Sequence, residues 1–122
     1  MRRILIVDDE PSVRDVMATV LLDAGYSVQT AADGHIALQN IDLAPPDLVI
    51  TDVMMPHLDG WALLDKAHER NPSLPVILMS AGDWIRRRRT APIPDNAVFL
   101  AKPFAVEDLL ELVGRLTGSR LN

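Results

Sequence analysis

Five short strand-like runs, four of them apolar and stopping at or just before a residue with a polar or charged side chain, govern how this 122-residue chain can fold. Ile4 to Val7 is continuously apolar and bounded by charge, the pattern of a strand covered on both faces. Ser27 to Ala31 is a weaker second run, and Leu48 to Thr51, Val76 to Met79 and Val98 to Ala101 follow. Between them the apolar period changes to that of a helix. Pro11 suits a first helical position, Val13, Val16, Met17, Val20, Leu21 and Ala24 recur at helical spacing, and Gly25 closes the segment. Asp33 caps a helix carrying Ile36, Ala37 and Ile41, which must end before Pro45 and Pro46. Asp59 caps another with Trp61, Leu64 and Ala67, and Val106, Leu109, Leu110, Val113 and Leu116 form the inward stripe of a last one. Strands alternating with helices predict an α/β fold: a parallel sheet with right-handed crossovers and helices on both faces. Ligands of such sheets bind beyond the carboxyl ends of the strands.

That is where this chain keeps its polar chemistry. The first run ends in Asp8-Asp9, the third in Asp52, the fourth in Ser80 and the fifth in Lys102. An aspartate after a strand can simply cap a turn, a serine can make one, and a lysine is ordinarily surface. Converging carboxylates, however, repel unless one holds its proton or a cation joins them. Magnesium resolves the conflict, since it takes hard oxygen ligands: one or two carboxylates, waters and a phosphate. Lys102 supplies a point charge suited to a phosphate oxygen, and Ser80 a hydroxyl. The set reads as a phosphoryl-transfer site in which a carboxylate is the nucleophile.

Composition narrows the setting. The length suits one domain, and 48% hydrophobic with 24% charged residues suits a globular one. The chain has no cysteine, so it has no disulfide framework and no thiolate chemistry. Its apolar start breaks off at Asp8-Asp9, too early for a signal peptide, and no run approaches the roughly 18 residues of a membrane span. A cytoplasmic location is expected, with no membrane partner. The net charge of −5 speaks against direct nucleic-acid binding. Arg86 to Arg89 is a local exception, and it reads as a solvated run. His35, His57 and His68 share no metal-ligand spacing.

The chain resembles the receiver domain of two-component response regulators over nearly its full length. The resemblance is carried by Asp8-Asp9, by the run from Thr51 and Asp52 through Met54, Met55, Pro56 and His57 to Asp59-Gly60, by Ser80-Ala81, and by Lys102-Pro103-Phe104. It implies a flavodoxin-like, doubly wound five-stranded sheet in the order 2-1-3-4-5. It implies that Asp52 accepts a phosphoryl group from a phosphohistidine on a sensor histidine kinase or a histidine phosphotransfer protein. Asp9 would be a direct Mg2+ ligand, with Asp52 and the carbonyl of Met54, and Asp8 would act through water. Lys102 would hold the phosphate, Ser80 would be the switch hydroxyl and Phe99 the switch aromatic. Residues 1–122 would form one receiver domain, with no output domain in this chain, and a monomer or weak dimer is expected.

One segment departs from the pattern. Pro92 and Pro94 bar a helix through the second half of the stretch after Ser80, so the fourth helix of the family is expected to be short, about Trp84 to Arg89, or disordered. Two other functions compete with the receiver. A phosphatase working through an aspartyl-phosphate would place its nucleophile after the first strand, with a second aspartate two residues on; here Asp8 and Asp9 are adjacent. A scaffold that has lost phosphorylation would not be expected to keep Asp8, Asp9, Asp52, Ser80 and Lys102 together.

Overall fold

The computed structural model describes residues 2–80 and 92–118. The helix expected at Trp84 to Arg89, and the arginine run with it, lie outside the described residues. In chain order the elements are β1 (Arg3–Val7), α1 (Pro11–Asp23), β2 (Ser27–Ala31), α2 (Gly34–Leu43), β3 (Leu48–Asp52), α3 (Gly60–Arg70), β4 (Val76–Ser80), β5 (Ala97–Ala101) and α4 (Val106–Thr117). All strand pairs are parallel and the sheet order is β2-β1-β3-β4-β5, as the resemblance implies.

Side chains alternate across a strand, so a run that is apolar at every position needs cover on both faces. On one face Leu5, Val7, Val49, Val76 and Leu78 meet Ala37, Leu38 and Ile41 of α2 and Trp61, Leu63, Leu64 and Ala67 of α3. On the other, Ile4, Ile6, Leu48, Ile50, Ile77 and Met79 meet Met17 and Leu21 of α1 and Leu109, Leu112 and Val113 of α4. β1, β3 and β4 are the central strands, and their apolar residues are fully buried. Burial of each such side chain is worth about 1.5–3 kcal/mol.

The capping signals act as read. Asp33 accepts from the Ile36 N–H and Asp59 from the Ala62 N–H, both at 2.9 Å. Gly25 takes φ +98°, the left-handed turn that closes α1. The helical stripes are narrower than the spacing suggests. Val16, Ile36 and Val106 face solvent, while Leu38 and Leu112, absent from the expected stripes, are buried. The turn before β5 is Asp95-Asn96, and the Asn96 side chain donates to the carbonyls of Pro72 and Leu74, tying the turn to the loop that precedes β4.

Candidate functional site: an acidic pocket at the carboxyl edge of the sheet

β1 and β3 are neighbours in register, with Val7 opposite Thr51, so the residues after them emerge side by side. Asp8, Asp9 and Asp52 each present a carboxylate oxygen within 4.8 Å of the others. Asp8 is buried, Asp52 is largely enclosed and Asp9 is exposed. The group therefore has a floor and an open side.

Asp8 is fixed at almost every polar atom. Its N–H donates to the Ala31 carbonyl at 3.2 Å, and its own carbonyl accepts from Arg14 Nη1 at 2.6 Å. Its Oδ1 accepts from the Glu10 N–H at 2.9 Å. Oδ2 is buried with no hydrogen-bond partner and lies 3.8 Å from the Lys102 ammonium. Burial pushes the Asp8 carboxyl above the usual carboxylate range; the charges of Asp52 and Asp9 act the same way, against the pull of the Glu10 N–H and Lys102.

Asp52 is held at both oxygens: Oδ1 accepts from the Met54 N–H at 3.0 Å and Oδ2 from Lys102 Nζ at 2.9 Å. Burial works to lower the Lys102 pKa, but the hydrogen bond and charge of Asp52, with Asp8 and Glu10, outweigh it and raise it. Lys102 thus stays an ammonium through neutral pH. It is carried by the strand after β4: its N–H donates to the Ser80 carbonyl at 3.0 Å, and its bond to Pro103 is cis.

Ser80 is buried at the end of β4, opposite Ala101. Leu78, two residues earlier, is opposite Phe99, so Ser80 and Phe99 share the sheet face that carries α2 and α3. Phe99 stands two residues before Ala101, on the Trp61 side of the sheet. Its ring meets Trp61 edge-on, with centroids 5.6 Å apart and planes at 64°. The structure therefore gathers Asp8, Asp9, Asp52 and Lys102.

The loop from Val53 to Asp59 shapes the rim. Val53, Met55 and Leu58 are buried, and Met54 is left exposed. Gly60 opens α3 against the end of β3, and its N–H donates to the Val53 carbonyl at 2.9 Å. A Cβ there would lie 2.6 Å from the Asp52 carbonyl oxygen and 2.8 Å from Val53 Cα, both backbone atoms that cannot swing aside. Gly60→Ala is expected to cost about 1–3 kcal/mol, read as a lower urea midpoint at unchanged m-value.

Two features escape sequence reading. His57 has φ +69°, a left-handed conformation uncommon outside glycine; histidine adopts it more readily than most residues, but that tolerance marks no particular histidine. Arg14 joins the pocket's wall through the Asp8 carbonyl, although a cation in a helix's first turn could have been noticed as out of place.

The donor set suits a hard divalent cation. It offers three clustered carboxylates, an open side for water, and a buried Asp8 oxygen with no hydrogen bond. The chain thus pairs a parallel sheet in this order with an acidic pocket at its carboxyl edge and a lysine on the pocket's aspartate. The family model for the response regulator receiver domain matches residues 4–114, and the chain belongs to that family.

Its relatives agree. It is 40% identical over 108 residues to the response regulator MprA of Mycolicibacterium vanbaalenii, covering 88% of this chain and 47% of that protein. Among solved structures it resembles Vibrio cholerae chemotaxis protein CheY4, with TM-score 0.86, 31% identity, and 95% and 98% of the two chains covered. It also resembles the receiver domain of NtrX from Brucella abortus, with TM-score 0.81, 35% identity, and 96% and 99% covered. The chain spans about half the length of the curated relatives it matches. Among the described residues no helix is long and apolar enough to cross a membrane.

Proposed function

We propose that residues 1–122 act as one receiver unit in which Asp52 takes a phosphoryl group from a phosphohistidine on a sensor histidine kinase or a histidine phosphotransfer protein. The observation that carries this is the grip on Asp52: a lysine on one oxygen, a backbone N–H on the other, and two further aspartates beside it. That grip orients the carboxylate for in-line attack. An Asp52 oxygen bonds to phosphorus while the P–N bond breaks; its electron pair goes to the donor imidazole, which takes up a proton. Lys102 then shifts its hydrogen bond to a phosphoryl oxygen and offsets the added charge. Asp9, Asp52 and the Met54 carbonyl would hold Mg2+ directly, with Asp8 through water. When bound, the metal would neutralise charge on the carboxylates and the transferring group.

The new dianion is a strong acceptor beside Ser80. Ser80 moves toward it, and Phe99, on the same face, turns into the space released. The phosphate thereby biases an equilibrium between two surface states that different partners read. The chain assists its own phosphorylation and dephosphorylation, without turning over a metabolite. A cytoplasmic setting fits a chain without cysteine.

A groove of about 350 Å³ lined by Ser12, Val13, Val16, Met17, Phe104 and Val106 adjoins the pocket, between the residues that follow Asp9 and those that follow Lys102. The helix bearing the donor histidine would lie there, where Val16 and Val106 offer exposed apolar surface. Val16→Lys is then expected to slow transfer from the kinase by about tenfold or more, in line with losing about 1.4 kcal/mol at a contact. Phosphorylation by acetyl phosphate, which needs no docking, would be unchanged in the same variant.

The decisive experiment exposes the protein to Mg2+ and acetyl phosphate and follows its intact mass and the release of inorganic phosphate. One phosphoryl group per chain, slowly lost, is expected. Steady turnover of the ester would make the protein a phosphatase, and no uptake with or without Mg2+ would make it a scaffold.

A further inference from the structure

We infer that Arg14 is a positioning residue of the acidic pocket: by clamping the Asp8 carbonyl it holds the β1–α1 turn in the shape that makes the Asp8 and Asp9 carboxylates converge. The inference rests on the receiver reading and assigns a role that the motif residues do not cover. Arg14 is in the first turn of α1, where backbone N–H groups already carry positive charge and a cation is disfavoured. No acidic residue stands in that turn to balance it, and Glu10 at the N-cap makes no side-chain cap bond. Local preference therefore argues against arginine here. A residue that breaks the local rule beside a functional site calls for a compensating contact.

The contact is the 2.6 Å bond from Arg14 Nη1 to the Asp8 carbonyl. It closes a loop of restraints, because the Arg14 N–H also donates to the Glu10 carbonyl, at 3.2 Å, and the Glu10 N–H donates to Asp8 Oδ1. With the Asp8 N–H anchored on Ala31, the turn has little freedom left. What remains unpaired by hydrogen bonds is Asp8 Oδ2, which lies 3.8 Å from the Lys102 ammonium that also meets Asp52. Three carboxylates this close repel, and the turn would spread to separate them without a restraint. A charged donor on a carbonyl is a strong form of that restraint. Groups that orient metal ligands without touching the metal typically govern metal affinity by about 10- to 100-fold.

The test compares wild type with Arg14→Met, which keeps the aliphatic stem and loses the donor, and Arg14→Lys, which keeps a charged donor. Mg2+ affinity is measured by calorimetry and thermal stability in EDTA. Arg14→Met is expected to weaken Mg2+ binding about tenfold or more, Arg14→Lys to stay within about threefold of wild type, and all three to melt within a few degrees in EDTA. Unchanged or tighter binding in Arg14→Met would overturn the inference, the latter because Arg14 would then act only as a competing charge. Equal losses in both variants, matched by equal falls in melting temperature, would also overturn it, leaving a purely structural residue. If wild type itself bound no Mg2+, the receiver reading would fall first and this inference with it.

Discussion

Asp52→Asn is expected to leave a folded protein that takes up no phosphoryl group from either a kinase or acetyl phosphate, a loss of more than about 1,000-fold in rate. The substitution is nearly isosteric. The amide oxygen can still accept from the Met54 N–H, so the loop keeps its anchor. What disappears is the nucleophile, together with the charge that Lys102 meets at 2.9 Å. The ammonium is left with Asp8, 3.8 Å away, and stays paired. The fold therefore has little reason to fail, and circular dichroism with intact-mass labelling separates loss of chemistry from loss of structure. Labelling within tenfold of wild type would move the acceptor to Asp8 or Asp9 and end the assignment of Asp52.

What the sequence disclosed and what it hid divide along physical lines. Strands β1, β3 and β4 were legible because a strand buried on both faces must be apolar at consecutive positions, a pattern that survives without knowledge of neighbours. The pocket was legible for a related reason: polar residues stopping such runs can only stand at the strand ends. Helix faces were harder. Val16 lies on the same period as Met17 and Val20, and only the position of β1 and β2 beneath α1 decides that it points outward. The clamp of Arg14 on Asp8 was hidden because it depends on where the chain turns after β1, not on spacing. Gly60 was visible as part of a motif, but its necessity rests on a backbone 2.6 Å from its missing Cβ. The left-handed His57 was hidden because histidine's modest tolerance of that conformation singles out no position, and the loop around it selects this one.

The second large effect concerns Asp8 and runs in opposite directions with and without metal. In the metal-free protein the buried Asp8 carboxylate faces two others, and its pKa lies above the ordinary 3.8 because ionising it there is costly. A carboxyl with a raised folded pKa adds stability when protonated, fully below its unfolded pKa, and loses that contribution as pH rises through the folded value. At neutral pH the ionised group is therefore a burden. Asp8→Asn removes the charge, keeps the oxygen that accepts from Glu10, and gives the pocket an amide N–H able to donate to a neighbouring carboxylate. In EDTA at neutral pH the variant is expected to be more stable by about 1 kcal/mol, or roughly 4 °C in melting temperature. The advantage shrinks as pH falls through the raised Asp8 pKa, where wild-type Asp8 is protonated too. With Mg2+ the order reverses. Losing one of three charges is expected to weaken binding by about 10- to 100-fold, while wild type gains about 2.7 kcal/mol at a hundredfold excess of metal over its Kd. Melting curves of both proteins in EDTA and in saturating Mg2+ therefore cross. A variant less stable than wild type in both buffers would show that Asp8 is held by favourable pairing alone, and that the pocket stores no repulsion for a cation to relieve.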